Sequence, residues 1–464
     1  MYKESVILAL VLPFILSCAV VDNVSDIVET CEYADFESIE WNETGMYTNL
    51  DELHEGIVCN HERQIAYKKG GRVIVKVGLT EPVTVVKSEK PQTWGHFQFP
   101  EILKTDDGAL LVRWSTKDDN GASYGEAETD LNAKISTDDG KTWNYTDKGY
   151  NLAPRGETRL DLKDGSRIWT STPKSFNLQD FPNMPTPAGI HETSTYYKMA
   201  ELPEPLKGAY LTYWTKTEGE RLFHAEIDDT DLLRSSSNNM MNVLWVGDFK
   251  ELNDGSILAA MFPANRMDKS GNVALSGISF YRSTNKGMNW SLSSYIPYPS
   301  NHALTESAGK AFTGLSEPVM EILKDGTIYC IVRTEHTVPS AMYRCTSKDN
   351  GKTWSDFEPF TINGVFPRLL ELKNGVMVLA SGRPGLQLRL SLDGKGAEWT
   401  DPIEMLPFME AYNPNQLNVT CGYAGLLEAG ANSFYIVYSE FVEEPVSNRF
   451  IKEIKFRKIF VDKI

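Results

Sequence analysis

A chain of 464 residues, 41% of them hydrophobic and 23% charged, has the apolar material for a large globular core. All-β propellers and barrels reach this size without splitting into two domains. The formal net charge of −17 repels phosphate backbones and excludes nucleic acid as a general partner; a long polyanion is disfavoured unless a local basic pocket overrides the mean field.

Lys3 precedes an apolar run over residues 6–16, which ends at Ser17 and Cys18. The run is too short to cross a bilayer as a mature helix and reads as the core of a signal peptide, residues 1–17. Ile15, Leu16, Ser17 and Cys18 resemble a bacterial lipobox. That makes Cys18 the lipidated first residue of a secreted cell-envelope protein, at the outer membrane or in the periplasm, with the lipid as its one tie to a membrane. Residues 19–40 are acidic and weakly patterned, as suits a solvated tether, and residues 18–55 read as that tether and an N-terminal lead-in. Cys31, Cys59, Cys330, Cys345 and Cys421 match no zinc spacing. Cys330 and Cys345 suit adjacent strands, and their bonding stays open.

From residue 56 to residue 464 the chain reads as one domain of short strands. Apolar or alternating runs such as residues 72–77 and 109–114 recur, and long helical stripes are absent. Turn pairs punctuate them: Asp107 and Gly108, Asp164 and Gly165, Asp254 and Gly255, Asp325 and Gly326, Asn374 and Gly375. Such pairs tolerate the positive φ of a tight turn between antiparallel strands. One hairpin repeated over a long chain points to repeated sheets around an axis.

A second repeat supports this. Ser136, Asp138, Gly140, Thr142 and Trp143 return as Ser347, Asp349, Gly351, Thr353 and Trp354, with looser copies at 283–290 and 391–399. The carboxylate or amide can bond backbone N–H groups, glycine supplies the unusual φ, and tryptophan buries a ring under the turn. These repeats resemble the Asp-boxes of the sialidase (neuraminidase) superfamily. The resemblance implies a six-bladed β-propeller and a retaining exo-glycoside hydrolase that releases a terminal, acidic sugar from a glycan. No Walker, Rossmann, HExxH or EF-hand pattern is present, so neither metal nor cofactor is expected. A monomer is expected.

Glu317, followed by Arg333, looks like the family's blade that carries a glutamate and a carboxylate-binding arginine. There the glutamate partners a tyrosine nucleophile. A phenol has a pKa near 10 and is a weak nucleophile until a carboxylate takes its proton. Tyr423, after Gly422 and ahead of an apolar strand, occupies the nucleophile's place. Arg383 resembles the last arginine of the clamp, with Arg368 and Arg389 as competitors. Asp118 or Asp119 fits the general acid, and Asp119 is preferred.

One position departs from the family. Gln98 stands two residues before Pro100, where an arginine is normal, so one charge-assisted contact is lost. His96 gains interest as a replacement ligand or proton shuttle, and Gln98 as a hydrogen-bonding partner for the sugar. Trp94, Trp114 and Tyr124 are candidate sugar-facing walls. Two other readings stay open: a lyase acting on uronic acids, using His96 and Tyr124, and a non-catalytic glycan-binding lipoprotein.

Overall fold

The computed structural model describes residues 57–58, 63–69 and 72–464, apart from 125–130, 147–157, 171–174, 192, 243, 300–310, 337–340, 362–363, 384, 408–418, 443–446 and 448. The expected signal peptide, lipidation site at Cys18 and tether lie outside the described residues.

The described chain is built from strands, with short 3-10 turns and no α-helix. Consecutive strands fold into six four-stranded antiparallel units, the fifth extended by Ile57–Val58 and the sixth by the hairpin of Arg63–Lys69 and Arg72–Leu79. Blade 1 holds Gln98–Lys104, Leu110–Ser115, Ala133–Ser136 and Asn144–Tyr145. Blade 2 holds Arg159–Asp161, Arg167–Thr170, Ala209–Thr215 and Gly219–Asp228; blade 3 holds Trp245–Glu251, Ile257–Ala264, Gly277–Ser283 and Asn289–Ile296. Blade 4 holds Ala311–Ile322, Ile328–His336, Met342–Ser347 and Glu358–Thr361; blade 5 holds Val365–Glu371, Met377–Gly382, Leu386–Ser391 and Ile403–Leu406. Blade 6 takes Ala424–Gly430, Ser433–Phe441 and Lys452–Lys463 from the end of the chain and Val83–Lys87 from its beginning. The first strand of each blade lines the axis, and that of blade 6 packs beside that of blade 1. The fold is therefore the all-β propeller that the repeats suggest, with the six blades that the resemblance implies.

The blades stack face to face through apolar side chains. Leu258 and Phe280 of blade 3 meet Met320, Val332 and Tyr343 of blade 4. Met320, Ile331 and Met342 belong to blade 4 as well, and the last two turn to its other face, against Met377 and Leu379 of blade 5. This is why these strands read as wholly apolar runs: both faces are covered. Each such side chain contributes about 1.5–3 kcal/mol when buried. Cys330 and Cys345 are cross-strand neighbours, buried and unbonded to each other.

The five Asp-Gly and Asn-Gly pairs all join the first two strands of blades 1 to 5, and only the glycine takes a positive φ. The Ser-Asp turns follow the third strands of blades 1, 3, 4 and 5. In blade 1, Ser136 Oγ donates to Asp138 Oδ1 (2.8 Å), and Thr142 donates to Asp138 through N (3.0 Å) and Oγ1 (2.6 Å). Blade 4 repeats this at Asp349 with 2.9, 2.8 and 2.6 Å. Each turn presses on the preceding blade. A methyl group on Gly140 would meet Phe456 of blade 6 at 2.1 Å, and one on Gly351 would meet Leu258 of blade 3 at 2.6 Å.

Hydrogen bonds from the Thr142 and Thr353 hydroxyls lead those that hold the Asp138 and Asp349 carboxyls down to about 2. The stabilisation is thus full above the ordinary value of 3.8 and is lost as the pH falls through about 2. An Asp138→Ala, Asp349→Ala double variant should melt below the wild type at neutral pH. That gap should close between pH 3.8 and about 2; a gap that stays constant in a melting series over this range would remove the carboxylates as its source.

Candidate active site

Three of the axial strands carry the same local device. Residues before proline, Phe99, Glu317 and Phe366, have φ of 54°, 49° and 46°. Each sits at a register shift: between Gln98 and Glu101, between Ser316 and Val319, and between Val365 and Arg368. Proline cannot donate to a ladder, so a bulge is where a strand tolerates it. Left-handed backbone is rare for such residues and clusters at functional sites. Here it turns three side chains toward one cavity.

That cavity, about 460 Å³, is lined by Asp119, Glu317, Arg333, Arg383 and Tyr423, with Trp94, Phe99, Tyr124, Trp245 and Phe366 among its walls. The Tyr423 hydroxyl donates a short hydrogen bond to Glu317 Oε1. Glu317 Oε2 accepts from the Phe366 N–H at 2.8 Å, and Arg333 Nε stands 2.9 Å from the same oxygen. Phe366 stacks on the Tyr423 ring at 4.2 Å, and Phe99 meets it edge-on at 4.8 Å. Burial first, and then the Glu317 charge, push the Tyr423 phenol well above its ordinary value; Arg333 and Arg383 pull the other way. The phenol is neutral at physiological pH, with its proton already aimed at a carboxylate.

Asp119 faces the cavity from the loop after the second strand of blade 1. Trp94 Nε1 donates to its Oδ2 at 3.0 Å, and the Tyr124 hydroxyl donates to its Oδ1 at 2.9 Å. Its neighbour Asp118 turns the other way, to Thr93 Oγ1 (2.5 Å) and His96 Nε2 (3.3 Å). Of the two aspartates, only Asp119 lines this cavity. Arg383, in left-handed backbone (φ 51°), anchors on the Cys421 carbonyl through Nε and Nη2, both at 3.3 Å. The competing Arg368 pairs with Glu101 at 3.1 Å, and Arg389 is buried against the Thr400 carbonyl; neither is in the lining.

Gln98 and His96 stand elsewhere, which corrects their reading as substrate contacts. Gln98 precedes the bulge, so its side chain leaves the cavity and is wholly buried. Its Oε1 accepts from Lys452 Nζ at 3.0 Å, and that ammonium also reaches the carbonyls of Thr93 (2.7 Å) and His96 (3.0 Å). His96 lines a separate surface recess with Gln92 and Tyr145. Trp114 is core between blades 6 and 1, whereas Trp94 and Tyr124 do face the cavity. Sequence reading missed Phe99, Phe366, Trp245 and Asn242. The phenylalanines had a signal: each stands before a proline near the start of an axial strand, and Glu317 also precedes a proline. Trp245 and Asn242 had none.

No family model matches the chain, and no curated protein was found similar to it. Among solved structures, a protein of unknown function from Dyadobacter fermentans DSM 18053 is similar at 16% identity and a TM-score of 0.55, over 82% of this chain and 98% of that one. That likeness is one of fold. Weaker similarities are to an α-L-arabinanase of Penicillium chrysogenum (16% identity, TM-score 0.47, 81% and 98% covered) and an intramolecular trans-sialidase of Ruminococcus gnavus (14%, 0.39, 80% and 96%).

With Tyr423 held protonated, an ultraviolet titration of phenolate up to about pH 10 should be the same for wild type and Tyr423→Phe. Loss of one tyrosine titrating near 10 in the variant would contradict the assigned environment.

Proposed function

We propose that the protein is a retaining exo-glycosidase of sialidase type, with Tyr423 as nucleophile and an acidic terminal sugar as substrate. The observation that carries this reading is the hydrogen bond from Tyr423 to Glu317, inside a cavity that also presents Asp119 and two guanidinium groups. A neutral phenol approaches an anionic sugar without the repulsion a carboxylate nucleophile would meet. As the Tyr423 oxygen attacks the anomeric carbon, its proton passes to Glu317 Oε1. Asp119 protonates the departing glycosidic oxygen. Asp119, now a carboxylate, then takes a proton from water as that water attacks the anomeric carbon; the bond to the Tyr423 oxygen breaks, and Glu317 returns its proton to the phenol. Two displacements retain the anomeric configuration. Arg333 and Arg383 hold the sugar's carboxylate, with forked geometry open to Arg383.

The uronic-acid lyase reading needs His96 and Tyr124 together, and they do not share a cavity. A purely binding protein would have no need of a phenol buried against a carboxylate. Secretion and lipidation at Cys18 fit an enzyme acting on external glycan, and are part of the same proposal.

A panel of aryl glycosides, sialosides and uronides among them, identifies the sugar. On it, Tyr423→Phe should lose at least about a hundredfold in kcat/KM with the circular dichroism spectrum unchanged. Asp119→Asn should lose about 10²–10⁴-fold on poor leaving groups and far less on 4-nitrophenyl glycosides, which need no proton. Full activity in Tyr423→Phe removes the phenol from the mechanism; an Asp119→Asn loss independent of leaving group removes Asp119 as the acid.

A further inference from the structure

Next to the candidate active site lies a second, larger chamber of about 660 Å³. The two share Tyr124, Asn242, Trp245 and Phe262 as a common wall. The far side is built by additions to the propeller. One is a three-stranded sheet of Gly189–His191, Ser194–Lys198 and Leu233–Ser236; the other pairs Ser175–Asn177 with Met240–Asn242. They arise within blade 2 and between blades 2 and 3. Nothing in a four-stranded blade requires them.

Arg234, on the strand Leu233–Ser236, lines this chamber at 1% exposure. Its Nη2 donates a short bond to the Asn242 carbonyl. Among the described residues, no acceptor meets Nε or Nη1, and no carboxylate pairs with the guanidinium. The Ser316 hydroxyl, also buried and lining the chamber, has no partner either. Arg457, also fully buried, differs: its Nε donates to the Thr80 carbonyl at 2.7 Å. Burying a charge without a counter-charge is costly, and such groups in native proteins are paired or serve a site. Burial lowers Arg234 only to about 10, so it stays cationic at neutral pH.

We propose that this chamber is a second sugar subsite, in which Arg234 and Ser316 bind an oxyanion, the carboxylate or sulfate of a neighbouring glycan residue. Its volume suits one or two sugar rings, and Tyr124 and Trp245 supply ring faces. Where it falls along the glycan rests on the glycosidase reading. The wall includes Asn120 and Tyr124, which follow Asp119 in the same loop. The acid protonates the leaving oxygen, so the chamber holds the leaving-group side.

The test titrates glucose, glucuronate and glucose 6-sulfate calorimetrically into the full chain. One anionic sugar should bind at least tenfold tighter than glucose: glucuronate if the partner is a carboxylate, glucose 6-sulfate if it is a sulfate. Arg234→Met should abolish this preference, and so should Ser237→Trp, which fills the chamber from its exposed rim and leaves the interior intact should Arg234→Met fail to fold. No preference in the wild type, or one that survives Arg234→Met or Ser237→Trp, overturns the proposal. Absence of hydrolysis by the wild type would sink the glycosidase reading and leave this binding result standing.

Discussion

The site depends on a backbone conformation that strands normally avoid. At Phe99, Glu317 and Phe366 the axial strand enters left-handed φ just before a proline. In regular pleating, those side chains would lie between blades, among the apolar stacks that hold the propeller together. The bulge swings them to the axis instead. Non-glycine residues pay of order 1–3 kcal/mol for such conformations, and the surrounding ladders hold them there. The same strand thus packs a blade along most of its length and presents chemistry at one end.

Glu317 shows how completely the site belongs to the assembled ring. The carboxylate is on blade 4; its two oxygens are held by Tyr423, at the entry to blade 6, by the Phe366 N–H of blade 5, and by Arg333 of its own blade. Three blades must be in register before the phenol has its carboxylate partner. Burial keeps the phenol protonated, and the guanidinium groups temper the local negative charge. A chain of net charge −17 can in this way present two guanidinium groups in one cavity. The mean field and the pocket are separate quantities.

Much of the architecture was legible in the sequence because it rests on repeated local rules. The Asp-Gly pairs mark real turns, since only glycine relieves the positive φ there. The Ser-Asp turns mark third strands because the aspartate bonds within its own five-residue window. Glu317, Arg333, Arg383, Tyr423 and Asp119 could be placed in one cavity by their order along the chain and the family resemblance. Gln98 and His96 were misplaced for a physical reason: a single extra residue at the bulge reverses the side on which the preceding side chain lies. Arg234 was invisible. Its lack of a counter-charge is a property of three-dimensional packing, and the short strands that present it carry no pattern.

The way the ring is fastened has a consequence for how the molecule comes into being. Blade 6 is completed by Val83–Lys87 pairing with the last strand, Lys452–Lys463, so Thr84 bonds a residue 369 positions away, Glu453. Contacts of that sequence separation are slow to form, because the loop they close must be ordered first. A chain emerging from the ribosome can nucleate single blades, but it cannot circularise until its final segment is free. Truncation by a dozen residues at the C-terminus would therefore leave an open arc with two unsatisfied sheet edges, prone to pairing with other copies of itself.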